Sequence, residues 1–236
     1  MNIGSTSYLS GTLPFLSGSA LKIIAVVSMV IDHCAYYLMD GNTMVYEVMR
    51  CFGRIAFPVF AFLVAEGFSH TRNRMRYFLS LLLSTAVSEV PWYLLNGADG
   101  THNVMFTLAL GVAALAAFER LRGHRALAIA AILLAALLAE VSGLDYGWRG
   151  IVVILVLHLF RSKKYSQSAR LLQFAFAFPL MMHYGIIGTL LANAVIFLYD
   201  GTRGFIHGNV AKYGFYAFYP AHLFLIWLAR IPDCLF

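Results

Sequence analysis

An all-α fold, a polytopic transmembrane helical bundle of about nine spans with its N-terminus cytoplasmic, is what this sequence predicts, on three observations. Of 236 residues, 61% are hydrophobic and only 12% charged, a balance that water does not solvate in folded form. From Leu21 onward apolar runs follow one another with no interval long enough to fold separately, so residues 21–236 read as a single transmembrane domain behind a lead-in over 1–20. Lysine and arginine gather in alternate loops, as the positive excess of cytoplasmic loops requires.

A spanning helix needs about 20 residues. On that measure spans fall near 21–39, 51–69, 76–95, 104–120, 125–141, 147–161, 170–183, 184–199 and 214–231. The first is expected to stay in the mature protein, because Met1 to Ala20 carries no Lys or Arg and so lacks the basic start of a signal peptide. The two spans over 170–199 have almost no loop between them. Loops with Arg72, Arg74 and Arg76, with Arg120, Arg122 and Arg125, with Arg161, Lys163, Lys164 and Arg170, and with Arg203 and Lys212 share one side; Arg50 and Arg149 stand opposite. The net charge of +6 is therefore a topology signal with no aromatic-laced basic stripe, which excludes nucleic acid as partner and makes the lipid bilayer the solvent. The inner (cytoplasmic) membrane is the expected location. Cys34, Cys51 and Cys234 have no disulfide or zinc spacing and read as packing residues, with no metal site expected; a Cys34–Cys51 contact near the outer surface is conceivable.

Charge at membrane depth is costly, so an ionisable residue inside a span marks a functional site by default. Asp32 and His33 sit together in the first span, His33 roughly 18 Å in at helical rise, in the outer half of a layer about 30 Å thick. A histidine beside a carboxylate can take a proton from an amine or hydroxyl, the carboxylate orienting it. Adjacent helical residues point about 100° apart, however, so the two side chains can also serve different partners. Arg54 enters the second span at a similar depth and needs an acid or an anion, with Asp32 and Glu89 nearest by depth. Glu89, Asn103, Asp145 and His183 map to the same outer end. In the last span Phe218-Tyr219-Pro220-Ala221-His222 puts His222 near mid-membrane, where Pro220 frees a carbonyl for which Tyr219 is a candidate donor.

At the inner end Glu66 and His70, one turn apart, precede Arg72, Arg74 and Arg76, where a phosphate-rich donor could dock. Asp145-Tyr146-Gly147-Trp148-Arg149-Gly150 and His183-Tyr184-Gly185-Ile186-Ile187-Gly188 share a Tyr-Gly-x-x-Gly frame, read either as related hairpins or as glycines permitting tight helix contact. There is no Gly-rich phosphate loop and no His-x-x-x-His metal pair on one helix turn, and the lack of a Gly-x-Ser-x-Gly elbow disfavours covalent serine chemistry. His102, His124, His158 and His207 look like loop or span-end residues without a role.

The stretches Leu21–Ile24 through Ile31-Asp32-His33, Gly53-Arg54-Ile55-Ala56-Phe57-Pro58 through Glu66-Gly67-Phe68, His70-Thr71-Arg72-Asn73 and Ser88-Glu89-Val90-Pro91 carry a resemblance. So do Asn103–Leu108, Asp145-Tyr146-Gly147, Tyr199-Asp200-Gly201-Thr202-Arg203-Gly204 and Phe218–His222. The chain resembles the TraX family, integral-membrane proteins whose namesake N-acetylates conjugative pilin. The resemblance implies acetyl-CoA as donor and an acyl group handled by a membrane histidine beside an acid, a role His33 and Asp32 match. His183 departs from the acid that Asp145 supplies in the other Tyr-Gly frame.

The expectation is then an acyltransferase moving acetyl to an amine or hydroxyl: a pilin N-terminus, a glycan, a lipid or a small molecule. His33 would act as base or acyl acceptor and Asp32 would orient it, with Arg54, Glu89, His222 and Tyr219 completing the site. Glu66, His70, Arg72, Asn103, Asp145, Tyr146 and His183 would contact substrates. A proton-coupled transporter or flippase would use the same buried groups, and a scaffold would merely pair them.

Overall fold

The structure, a computed structural model, describes residues 15–161 and 167–235. Most of the lead-in, together with Lys163, Lys164 and the side chain of Cys234, lies outside the described residues. Helices occupy every expected segment: α1 Gly18–Leu38, α2 Met44–Gly53, α3 Ala56–His70, α4 Arg74–Asn96, α5 Val104–Arg120, α6 Arg125–Val141, α7 Gly147–Leu159, α8 Gln167–Met181, α9 Ile186–Phe197 and α10 Asn209–Leu235. Among the described residues there are isolated β-bridges and no strands.

Loop polar residues cap the helices that follow them. Ser17, Thr43, Asn73 and Asn103 each accept a backbone N–H of the first turn, fixing the starts of α1, α2, α4 and α5. Thr43 starts the second helical unit well before the expected residue 51. That unit breaks at Arg54–Ile55, because Pro58 has no N–H to offer the Arg54 carbonyl. Between α8 and α9 the chain turns in a single 3₁₀ turn, Met182–Tyr184, and at Gly185, whose φ of 137° suits glycine.

Among the described residues three stretches are long and apolar enough to cross a membrane by length and composition: Gly18–Leu38, Met44–His70 and Arg74–Asn96. Helices α5 and α6 have 17 residues and α7 to α9 fewer, short of the roughly 20 a straight crossing uses. Helix α3 is central, packed on α1, α5, α7 and α9, with Val59, Ala61, Phe62, Ala65 and Phe68 buried. Helix α1 lies against α2 on one flank and α10 on another, and α10 also packs along α4. Leu133, Leu134, Leu137 and Leu138 of α6 are exposed, an outer surface suited to lipid.

Candidate functional site

Two flanks of α1 divide the adjacent pair Asp32 and His33. The residues lie about 100° apart on the helix, so His33 turns to α10 and Asp32 to α2. His33 Nδ1 lies 2.7 Å from His222 Nε2, with the rings parallel within 5°. His222 Nδ1 lies 3.1 Å from the Phe218 carbonyl, which can only accept. In the neutral pair this fixes the proton positions. His222 donates from Nδ1 and accepts at Nε2, His33 donates from Nδ1, and His33 Nε2 keeps a free lone pair. Tyr37 and Tyr219 stand edge-on to His33 at 6.1 and 6.2 Å between ring centroids. The Tyr219 hydroxyl is buried beside the Val104 backbone without a well-aligned hydrogen bond.

Asp32 therefore does not orient His33 directly. Its partner is Arg50, Nη1 to Oδ2 at 2.6 Å. Gly53 makes the approach possible, since a Cβ there would run into Oδ1 and the backbone of Asp32. Arg54 interacts with Tyr146, Asp32 and Asp145, and His33 lies in the field of Arg50 and Arg54. Two guanidiniums and two carboxylates thus surround one side of the histidine pair. Arg50, expected only as a loop residue, is the direct counter-ion.

Asp145 belongs to the turn before α7, pinned by its own N–H to the His102 carbonyl and by the Thr107 hydroxyl on its carbonyl. Burial pushes its carboxyl up to about 6, opposed by Arg54. Tyr146 adopts a left-handed φ of 65°, uncommon for a side-chain-bearing residue. Its ring stacks on Phe57 at 3.6 Å and meets Tyr184 at 4.7 Å, so the tyrosines of the two Tyr-Gly-x-x-Gly frames touch. The glycines also allow close contact: a Cβ at Gly188 would strike Arg54 and the Cys51 carbonyl, and one at Gly150 would strike Thr107. His183 is exposed, with its ring against Tyr184, and is not brought into the cluster. Cys34 and Cys51 are free thiols.

Glu89 pairs with His102 and Asn103, not with Arg54. Asn103 Nδ2 donates to Glu89 Oε2 at 2.6 Å and His102 contacts Oε1, joining the end of α4 to the start of α5. In the exposed loop between them, hydrogen bonds from Thr101 hold the Asp99 carboxyl below its ordinary range. The carbonyl left free by Pro220, that of Tyr216, is taken by the Ser84 hydroxyl at 3.0 Å and not by Tyr219.

Glu66 and His70 converge on Arg161, which follows the end of α7. Arg161 donates to Glu66 Oε1 at 2.5 Å and to His70 Nε2 at 3.1 Å. Beside them opens a cavity of about 800 Å³, lined by Lys22, Arg72, Arg76, Arg203 and Lys212 at one end and by Val104, Phe218 and Tyr219 at the other. His33 lies eleven residues beyond Lys22, roughly 16 Å along α1 at the helical rise, with Tyr219 between it and the cavity. His158, expected to have no role, is bonded between Glu119 at 2.8 Å and Ser69 at 3.3 Å and ties α7 to α5 and α3.

A helical bundle whose outer surface suits lipid, with buried histidine, carboxylate and guanidinium groups gathered from separate helices, defines a membrane protein with an internal polar site. The sequence pattern described as "TraX protein" matches residues 17–230, and the chain belongs to that family. It is 32% identical over 241 residues to the probable fimbrial assembly protein FimC, serogroup H1, of Dichelobacter nodosus, covering 91% of this chain and 96% of that one. It is 30% identical to Protein TraX of Escherichia coli K12, over 61% of this chain and 56% of that protein, and 30% identical to a second Escherichia coli TraX, over 64% and 60%. No solved structure matches.

Proposed function

We propose that this protein is a multi-pass enzyme of the inner membrane that moves an acetyl group from acetyl-CoA on the cytoplasmic side to an amine or hydroxyl of a membrane-bound or extracytoplasmic acceptor. The observation that carries the proposal is the bonding chain from the Phe218 carbonyl through His222 to His33, which leaves Nε2 of His33 as an oriented base with the Tyr219 ring between it and a substrate-sized cavity.

In the reaction the acceptor nitrogen or oxygen attacks the thioester carbonyl while His33 Nε2 takes its proton. The carbon–sulfur bond then breaks, and the imidazolium returns that proton to the departing thiolate. His222 accepts the hydrogen bond of the cation formed on His33. Arg54 and Arg50 with Asp32 and Asp145 hold a charge-balanced wall beside it, and the buried Tyr219 hydroxyl, whose residue lines the cavity, donates to the entering carbonyl. Asp32 acts through Arg50, and Glu89 with His102 and Asn103 braces the α4–α5 end of the pocket.

Because the Dichelobacter nodosus relative carries a name from fimbrial assembly, the N-terminal amine of a pilin-type subunit is the first acceptor to try, with amino sugar, amino lipid and small amines beside it. The test is full-length protein in lipid nanodiscs given acetyl-labelled acetyl-CoA and each acceptor in turn. Label should reach one acceptor or the protein itself, and His33→Ala should abolish it. Transfer undiminished in His33→Ala removes that residue from the mechanism. A thioester left intact with every acceptor, together with proton flux in proteoliposomes, would replace the enzyme with a transporter.

A further inference from the structure

The stretch Tyr199-Asp200-Gly201-Thr202-Arg203-Gly204 has no part in the chemistry above, yet the fold fixes it with unusual thoroughness. The Asp200 N–H donates to the Leu16 carbonyl at 2.9 Å, the Gly18 N–H to the Thr202 carbonyl at 2.8 Å, and the Ser19 hydroxyl to the Arg203 carbonyl at 3.0 Å. Ser19 also accepts from the Ile206 N–H at 2.7 Å, and Asp200 caps the Thr202 N–H. Gly204, with a φ of 78°, lies so close to Ser17 and Ser19 that any side chain would collide with their hydroxyls. The loop is thus clamped to the first turn of α1, and Arg203 is delivered to the wall of the large cavity, within electrostatic reach of Lys22.

Charge in that cavity is one-sided. Lys22, Arg72, Arg76, Arg203 and Lys212 line it from separate chain segments, and among the described residues none of the five has a carboxylate within ion-pair distance. The acid in the lining, Glu66, is held by Arg161. The N-termini of α4 and α10, with their positive dipole ends, open at the same place, since Asn73 and Gly208 are lining residues. A positive excess in loops explains cations on one side of a membrane; it does not require them to converge on a concave wall. Unpaired cations that repel one another in a cleft focus potential on an anion.

We infer that residues 199–204 are a clamp that holds Arg203 at a phosphate site, and that Arg203 with Lys22, Arg76 and Lys212 takes a nucleoside bearing more than one phosphate group. The inference rests on the donor reading above and names the part of the donor this end of the cavity holds. A phospholipid headgroup shares the phosphate chemistry, so the test separates the two sources.

The experiment uses full-length protein in nanodiscs of neutral phosphatidylcholine, titrated calorimetrically with adenosine 3′,5′-bisphosphate. Wild type should bind, more weakly as salt rises. Arg203→Gln and Lys22→Gln should each weaken binding about tenfold, whereas Arg125→Gln, an exposed cation outside the cavity, should leave it unchanged. Gly204→Ala keeps every charge but displaces the loop, and should also weaken binding; each variant is compared at an unchanged thermal midpoint. Equal binding by wild type and Arg203→Gln overturns the inference. So does displacement of the bisphosphate by phosphatidylglycerol added to the nanodisc, if Arg203→Gln loses that lipid, because the site then belongs to a headgroup. Acetyl transfer with an unaltered donor KM in Arg203→Gln sinks the loop and spares the enzyme. Bisphosphate binding without any transfer sinks the enzyme and spares the loop.

Discussion

Arg50 of α2 grips Asp32 of α1 through one carboxylate oxygen, at 2.6 Å, while the other oxygen faces Gly53 and finds no hydrogen-bond partner among the described residues. Removing one partner of such a pair strands an enclosed charge, a change that costs about 3 kcal/mol or more in comparable buried pairs. Arg50→Gln should therefore destabilise the protein in detergent unfolding by about as much as Asp32→Asn. The double variant should lose distinctly less than the sum. Additive losses in this double-mutant cycle would mean that the contact does not join α1 to α2.

Glycine at position 53 sets how closely those two helices approach. Gly53→Ala should lower stability by about 1–3 kcal/mol, the ordinary cost of overpacking, because its Cβ meets the Asp32 backbone, which cannot swing away. Gly214→Ala is the contrasting case: that helical glycine in α10 has nothing within 4 Å, and alanine should stabilise by about 0.5–1 kcal/mol through helix propensity. Thermal midpoints moving in opposite directions are the expected reading, and a tolerated alanine at 53 would count against the tight crossing.

His222 acts on His33 through a single hydrogen bond, which gives an amide a chance to replace it. His222→Ala should reduce acetyl transfer about a hundredfold, since His33 loses the acceptor that fixes its tautomer. His222→Gln offers a carbonyl oxygen in the same role and should restore a substantial part of the rate with little change in acceptor KM. Equal loss in both variants would show that the hydrogen bond His222 accepts from His33 is not what the second ring contributes.

Much of this architecture is legible in the sequence. Apolar run lengths locate the helices, the cost of charge in lipid points to His33, Arg54, Asp145 and His222, and the Tyr-Gly frame and the Phe218–His222 stretch point to Tyr146 and Tyr219; the fold gathers all six into one region. Partner choice was not legible, because it depends on which neighbour packs on which side of each helix. Asp32 and His33 are adjacent in the chain yet face α2 and α10, so the obvious Asp–His pair is replaced by Asp32–Arg50 and His33–His222. Arg50, Arg161 and Arg203 resemble ordinary loop cations, and only the folded chain shows the first two holding acids and the third facing a cavity. His102 and His158 sit near helix ends, and nothing local announces that Glu89 and Glu119 lie opposite them.

Pro220 leaves a single carbonyl of α10 in need of a partner. A proline in α10 deprives the Tyr216 oxygen of the amide four residues on, and the buried Ser84 of α4 supplies the missing donor at 3.0 Å in a partly buried setting. Ser84→Ala should consequently cost about 1 kcal/mol, the loss of the hydrogen bond to a partly buried carbonyl. Replacing the proline tests the cause. In a Pro220→Ala background the backbone amide returns, Tyr216 regains its intrahelical bond, and Ser84→Ala should then cost only a few tenths of a kcal/mol, the range of a substitution that leaves no polar group unpaired. Chemical unfolding of the four proteins measures both steps. If Ser84→Ala costs the same with and without the proline, the serine stabilises the α4–α10 contact by packing alone, and the hydrogen bond to Tyr216 is incidental to holding His222 opposite His33.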